Sequence, residues 1–275
     1  MTARIASRFA ACKRDGRAAL VAYVMASDPD HETCLDILKG LPGAGADVIE
    51  LGFPFSDPMA DGPSIQRAAL RSLEAGGSLK QTLDLARRFR ESDANTPLIL
   101  MGYANPAEQM GYQAFAQSMA GAEADGAIVV DLPPEEDAPL RAAFAPHRLA
   151  LIRLATPTTD EQRLTTVLEG ASGFVYYVSV AGVTGAGAAT AGAIRPAVEA
   201  IKRASPLPVA VGFGVRTPEA AAGIARIADA VVIGSAFVDE IAAGGNEEAV
   251  SRVLHKVAAL SEAVRTAREV EGTTP

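Results

Sequence analysis

The chain has 275 residues, with 25 Lys and Arg against 33 Asp and Glu and a formal net charge of −8 at pH 7. This excess of acid excludes the basic face that nucleic-acid binding needs, although a few backbone N–H groups can still hold an anion locally. Hydrophobic residues make up 49% and aromatics only 5%, so Ala, Val, Ile and Leu must fill the core, which suits strands covered by helices.

No apolar run reaches the ~18 residues that a membrane span needs, and the N-terminus lacks the basic, apolar and small-residue order of a secretion signal. Cys12 and Cys34 are the only cysteines and form no CxxC spacing, which points to a reducing, cytoplasmic setting. His31, His147 and His255 are scattered, so no metal site is expected.

Short β-rich apolar runs alternate with amphipathic stretches. Strands are expected at Ala19–Tyr23, Asp47–Leu51, Leu98–Met101, Ala127–Val130, Ala150–Leu154, Phe174–Val178, Val209–Val211 and Ala230–Ile233. Between them, Cys34, Leu35, Leu38 and Leu41 form a helical stripe, as do Ile194, Ala197, Val198 and Ile201, and again Val250, Val253, Leu254 and Val257. Arg87, Arg88 and Arg90 read as a solvated helix face, Glu135, Glu136 and Asp137 as an acidic first helical turn, and His147 as part of an αβ turn. Thr217-Pro218-Glu219 reads as a helix start with Thr as N-cap and Pro first in the helix. Ala46-Asp47-Val48, Ala124-Asp125-Gly126 and Ala228-Asp229-Ala230 look like one αβ turn used three times.

Eight βα units without a linker predict an α/β protein: a single (β/α)₈ TIM barrel over residues 1–275, with an additional N-terminal helix, extra helices and a polar C-terminal tail at about 268–275. An open doubly wound sheet is the competing architecture. The missing GxGxxG after the first strand argues against its dinucleotide-binding version.

Glu50 interrupts the apolar run Val48-Ile49-Glu50-Leu51 near the C-terminal end of the second strand. Barrel active sites lie at that face, and a carboxyl group desolvated there gains a raised pKa suited to passing protons near neutral pH. The other reading pairs Glu50 with a buried Arg or turns it to water at the rim. The loop that follows, Pro54-Phe-Ser-Asp57-Pro58-Met-Ala-Asp61-Gly-Pro63, is stiffened by prolines. It either holds Asp57 and Asp61 in place relative to Glu50 or uses an Asp to cap a helix starting near Ser64.

Later strand ends are rich in glycine: Gly182-Val-Thr184-Gly185-Ala-Gly187, then Gly212-Phe213-Gly214, then Gly234-Ser235 opening a short helix. Such ends admit a phosphate to backbone N–H groups, in the place where these barrels bind one, or serve as tight turns only. The small-residue stretch from Ser179 to Gly192 looks like a lid with Thr184 as its most chemically useful side chain. Tyr176 either packs the barrel or turns its hydroxyl to a ligand, and Met101 and Tyr103 either line a pocket or pack.

The run from Glu50 to Pro63 resembles the signature of the tryptophan synthase alpha-subunit family. Gly182-Val-Thr-Gly185, Gly212-Phe-Gly214, Gly234-Ser235 and Met101-Gly-Tyr-Ala-Asn105-Pro106 are similar to its other landmarks in order and spacing. The resemblance implies retro-aldol cleavage of indole-3-glycerol phosphate to indole and glyceraldehyde 3-phosphate, with no metal or organic cofactor on this chain. It implies Glu50 as the proton-shuttling acid/base, Asp61 as the partner of the indole N–H, and Tyr176 as an active-site tyrosine. Thr184, Gly185, Phe213, Gly214, Gly234 and Ser235 would hold the phosphate and lid. It further implies an α2β2 assembly with a beta subunit that carries pyridoxal phosphate, faced by Pro54, Asp57, Pro58 and Asn105. Val180, where many relatives carry Arg, the small lid residues, and Met25-Ala-Ser-Asp-Pro29 depart from the family pattern. Another phosphate-sugar barrel enzyme and a mainly non-catalytic activator of the beta subunit are the competing functions.

Overall fold

The computed structural model describes residues 3–179, 191–212 and 214–268. Its strands are β1 (Ala19–Met25), β2 (Val48–Gly52), β3 (Leu98–Gly102), β4 (Gly126–Val129), β5 (Ala150–Leu151), β6 (Arg153–Ala155), β7 (Val175–Val178), β8 (Val209–Gly212) and β9 (Ala230–Ile233). They pair in parallel in the order β5-β4-β3-β2-β1-β9-β8-β7-β6. β5 pairs with β4 and β6 with β7, while Ile152 between them donates its N–H to the Ala127 carbonyl at 3.0 Å. The two segments are therefore halves of one fifth strand, which closes the sheet into the expected eight-stranded barrel.

α1 (Ala3–Arg14) precedes the barrel, and α2 (His31–Gly40) follows β1. α3 (Pro63–Glu74) and α4 (Leu79–Arg90) both follow β2; α5 (Ala104–Met110) and α6 (Tyr112–Gly121) both follow β3. α7 (Ala138–Phe144), α8 (Glu161–Leu168), α9 (Ala191–Ala204) and α10 (Pro218–Ala225) complete the ring before α11 (Ser235–Ala242) and α12 (Asn246–Thr266). The doubled helices are the extra ones. Thr217 caps α10 by accepting the Ala220 N–H at 3.3 Å, with Pro218 first in the helix. Arg268, at the start of the expected polar tail, donates to the Ala225 and Ala228 carbonyls; residues 269–275 lie outside the described residues.

Period-2 alternation separates two apolar layers. Leu20, Ile49, Leu51, Leu98 and Val211 face the helices. Val21, Val48, Ile99, Ile128, Ile152, Phe174, Ala210 and Ala230 fill the barrel interior, and Ile5, Phe9 and Cys12 of α1 join that interior cluster. Phe9 meets Phe174 with ring centroids 5.6 Å apart, so α1 plugs the bottom. Two residues further along the strands stand Tyr23, Glu50, Met101, Val130, Leu154, Tyr176, Gly212 and Val232, the inward layer nearest the C-terminal mouth. Glu50 is the one charged member of that layer.

The repeated Ala-Asp turn proves to be one device. Asp47, Asp125 and Asp229 accept the N–H of Leu20, Leu98 and Val209 at 3.0, 2.9 and 2.9 Å, each at the start of a neighbouring strand. Each also holds a cation: Arg17 at 2.7 Å, Arg90 at 2.7 Å and Lys202 at 2.9 Å. Arg90 is thus not on a solvated face. It is buried, because Asp125 and the Thr96 and Glu123 carbonyls satisfy its guanidinium in the interior. Nor do Glu135, Glu136 and Asp137 form a first helical turn: α7 starts at Ala138, and buried Asp137 pairs with Arg153 and Arg141. His147 closes a one-turn 3₁₀ helix, Ala145–His147.

Replacing Asp125 strands the buried Arg90 charge. Asp125→Ala is expected to lower the unfolding free energy by about 3–5 kcal/mol, read by urea denaturation. An Arg90→Met/Asp125→Ala double variant should regain a large part of the loss; a purely additive double variant would refute the pairing argument.

Candidate active site

Strand β2 carries Glu50 into the barrel because Val48, two residues earlier, already faces inward. In register, Glu50 stands between Tyr23 of β1 and Ile99 of β3. It is 1% exposed, and neither carboxyl oxygen has a hydrogen-bond partner among the described residues. Burial, with nothing to offset it, pushes its pKa up to about 8. Both bland readings of Glu50, an Arg pair or a solvated rim position, fail. The carboxyl group instead lines a cavity of about 260 Å³ at the barrel mouth, together with Asp61, Tyr176, Gly214, Gly234 and Ser235.

The loop after β2 delivers Asp61 to this cavity. The Asp61 N–H bonds the Pro58 carbonyl at 3.1 Å, and Gln66 Nε2 donates to the Asp61 carbonyl at 2.8 Å. Burial raises the Asp61 pKa to about 6, while a hydrogen bond from Tyr103 opposes the rise. The same Tyr103 oxygen accepts the Ala60 N–H at 3.0 Å, and its ring lies 5.4 Å from that of Phe55. No Asp caps α3: its N-cap is Gly62, which makes no side-chain cap bond, and Pro63 starts the helix. α3 is tied to the end of β1 by a two-pronged Arg71–Asp28 pair at 2.8 Å for each bond, and by Ser72 Oγ donating to the Ala26 carbonyl at 2.5 Å. Asp57 is exposed and bonded only locally, to Ser56.

Tyr176 is 7% exposed and lines the cavity, so its ring packs and its hydroxyl reaches the site. Gly212 makes room for it: a Cβ there would lie 2.6 Å from the Tyr176 hydroxyl oxygen. Gly214 adopts φ +76, a conformation L side chains rarely take, with open space around it. Gly234 is the N-cap of α11 and Ser235 its first residue, so that helix presents its N-terminus to the cavity. Thr184, Gly185 and Phe213, with Val180 and the rest of 180–190, lie outside the described residues.

Three cavity residues with polar side chains escape sequence reasoning: Tyr23, Ser64 and Arg216. Tyr23 sits in a strand of ordinary apolar pattern, and only its register opposite Glu50 marks it. Ser64 and Arg216 follow Pro63 and Val215 as unremarkable polar residues, and only tertiary packing brings them together. Volume alone would select another place. A cavity of about 700 Å³ is lined by the segments after β4 and β6 and by α8. Its charged side chains Arg153 and Arg163 already pair with Asp137 and Glu135, and it holds none of the glycine-lined strand ends, so the smaller cavity is the candidate site.

On the surface beside the mouth, Asp57, Met59 and Asn105 are exposed and Pro58 half-buried. Met59 is 83% exposed, unusual for so large an apolar side chain. Pro54, expected to face a partner, is instead buried, because it leaves β2 directly behind Phe53 inside the chain. Among the described residues no group of three or more His, Cys, Asp or Glu is placed to hold a metal ion, and no helix is long and apolar enough to cross a membrane.

Residues 9–266 match the family model of the tryptophan synthase alpha chain. The chain is 61% identical over 268 residues to the tryptophan synthase alpha chain of Phenylobacterium zucineum, covering 97% of each. To that of Caulobacter vibrioides it is 59% identical, covering 96% of this chain and 97% of the relative. The crystal structure of tryptophan synthase subunit alpha from Legionella pneumophila superposes with a TM-score of 0.89 at 38% identity, over 96% of this chain and 99% of that one. A chain of Mycobacterium tuberculosis tryptophan synthase gives a TM-score of 0.88 at 35% identity, over 96% and 99%. With a parallel eight-stranded barrel, an acidic mouth and similarity across nearly its full length, the chain belongs to the tryptophan synthase alpha chain family.

Proposed function

We propose that Glu50 and Asp61 perform, within the 260 Å³ cavity, the reaction of this family. The alpha chain is a carbon–carbon lyase: it cleaves indole-3-glycerol phosphate to indole and glyceraldehyde 3-phosphate, and the indole passes to a beta subunit. The observation that carries the assignment is the buried, unpartnered Glu50 carboxyl group facing the same cavity as Asp61 and the Gly214, Gly234 and Ser235 backbone.

The two acids are set apart by their surroundings. At neutral pH Glu50, with a pKa near 8, holds its proton, and Asp61, near 6, is mostly ionised. Glu50 can then protonate the ring carbon that bears the glyceryl chain. The ring nitrogen gains positive charge, which the Asp61 carboxylate stabilises at the N–H. The Glu50 carboxylate next takes the proton of the adjacent glyceryl hydroxyl. The carbon–carbon bond breaks, its electrons return to the ring nitrogen, and an aldehyde forms. The protonated indole is the electron sink, so no cofactor on this chain enters the scheme. Tyr176 walls the site, and Gly214, Gly234 and Ser235 offer N–H groups to the phosphate. The roles that the family resemblance implies for Thr184, Gly185 and Phe213, in phosphate binding and the lid, fall on residues outside the described ones.

The family works with a beta subunit. An α2β2 assembly, pyridoxal phosphate on the partner and a cytoplasmic location complete the reading. Support for the docking face comes from exposed Asp57, Met59 and Asn105 beside half-buried Pro58.

Indole release from indole-3-glycerol phosphate tests the assignment. Glu50→Gln is expected to lower kcat by about 10²–10⁴-fold, and full activity in the variant would reject the role. The wild-type kcat/KM should rise with pH as Asp61 ionises near 6 and fall as Glu50 loses its proton near 8. Asp61→Asn should remove the acid limb and retain the alkaline one.

Stability should move against activity. Glu50 has its folded pKa raised to about 8 from an ordinary 4.5, so between those values the folded state binds the extra proton. Its contribution therefore weakens the fold progressively as pH rises from 4.5 to 8, on the order of 3 kcal/mol by neutral pH. Glu50→Gln removes that loss and is expected to raise Tm at pH 8 more than at pH 5. An equal shift at both pH values would contradict the desolvation argument.

A further inference from the structure

Among the described residues, Arg216 is the only cationic side chain lining the cavity, where it joins Glu50 and Asp61. It follows Gly214 and Val215 in the loop after β8, and Val215 is buried, anchoring that loop. The Arg216 guanidinium is held between two helices. Nη1 pairs with Asp239 Oδ2 of α11 at 2.5 Å, and Nη2 donates to Ser64 Oγ at the start of α3 at only 3.4 Å. Arg67 reaches the same Ser64 oxygen at 3.5 Å. Asp239 is one helical turn beyond Ser235, so its tether holds Arg216 beside the helix end that opens on the cavity.

The charge balance shows what this group is for. A phosphate monoester brings up to two negative charges into a cavity that already contains two carboxyl groups. The α11 N-terminus offers only a fraction of a positive charge. Arg216 offers a full one on a planar fork suited to phosphate. Its best bond is made to a side chain half in solvent, since the Asp239 side chain is 37% exposed and that of Arg216 50%. Such a pair is held weakly and can be exchanged for a ligand oxygen without stranding a buried charge.

We propose that Arg216 binds the phosphate of the substrate, exchanging its bond to Asp239 for one to a phosphate oxygen. Asp239 is then a positioning residue, which parks the guanidinium at the rim and competes with the ligand. The inference rests on the lyase reading for the identity of the substrate, but the phosphate site can be tested apart from it.

Inorganic phosphate serves as the probe, both as a competitive inhibitor of indole release and in direct calorimetric binding to the full chain. Arg216→Gln should weaken phosphate binding and raise the KM for indole-3-glycerol phosphate about tenfold, with Arg216→Lys recovering part of the loss. Asp239→Asn, which frees the guanidinium, should tighten phosphate binding. The Arg216→Gln/Asp239→Asn double variant separates direct binding from mere neutralisation of Asp239. If Arg216 touches phosphate, the double variant stays weak; wild-type affinity in it would overturn the proposal, as would unchanged phosphate binding in Arg216→Gln. Raised salt should narrow the gap between wild type and Arg216→Gln, because the contact is partly solvated. A wild-type chain that releases no indole, yet loses phosphate binding on Arg216→Gln, would sink the lyase reading and leave the phosphate site standing.

Discussion

Glu50 keeps a carboxyl group inside an apolar barrel with neither oxygen bonded by a described residue. Ionised, it would lose hydration that nothing around it replaces, so it holds a proton at pH values where an ordinary Glu has long released it. This is a local conflict between folding and chemistry. A barrel designed for stability alone would place Leu or Met at that position, as it does at Met101 and Leu154 in the same inward layer. The fold can carry the defect because, among the described residues, it is the one charged group in the barrel interior: below it, the interior layer from Val21 to Ala230 is apolar throughout and closed by α1. On the proposed mechanism the destabilised group and the reactive group are one and the same.

The two ends of the barrel divide the labour. At the N-terminal end, Asp47, Asp125 and Asp229 tie neighbouring strand starts together and each binds a cation. Ser172 does similar work for the fifth strand, accepting the Leu151 N–H at 2.9 Å. Those bonds, buried or half-buried except for the exposed Lys202–Asp229 contact, fix strand register and hence which residues face inward. At the C-terminal end two groups that line the cavity stand differently: Glu50 has no partner among the described residues, and Arg216 pairs with a part-exposed Asp239 and reaches Ser64 only at 3.4 Å. Register is the link between the ends. A slip of one residue in β2 would turn Glu50 outward and place Ile49 in the cavity.

Much of this was legible in the amino-acid order, and the exceptions have physical causes. Eight strands could be read because parallel strands covered on both faces are nearly continuous apolar runs. Glu50 stood out as an interruption of one such run. The three Ala-Asp turns were visible as a repeat, but their function was not, since a hydrogen bond to the preceding strand's start is a tertiary fact. Arg90 was misread for the same reason: a helical Arg between Phe89 and Glu91 looks solvated until Asp125, distant in sequence, is placed beside it. Pro54, set toward a partner by the resemblance, is buried behind Phe53, because membership of a partner-facing loop does not say which of its residues face water. Tyr23 and Arg216 were invisible, because their significance comes only from what lies across a strand pair or between two helices.

The charges at the mouth also act on one another. A phosphate dianion bound at Gly234 and Ser235 without compensation would raise the proton affinity of both acids through like-charge repulsion. Glu50 would then give up its proton less readily, and Asp61 would be driven toward the neutral form in which it cannot stabilise a cationic ring. A cation at the phosphate end cancels that field before it reaches the carboxyl groups. Arg216 is placed to do so because it lines the cavity at the α11 end, on the same loop as Gly214. If Arg216 binds phosphate and Glu50 and Asp61 cleave the carbon–carbon bond as proposed, substrate binding and the pKa gap between the two acids are one electrostatic problem: the group that draws the phosphate in also preserves the protonation states that the proposed cleavage needs.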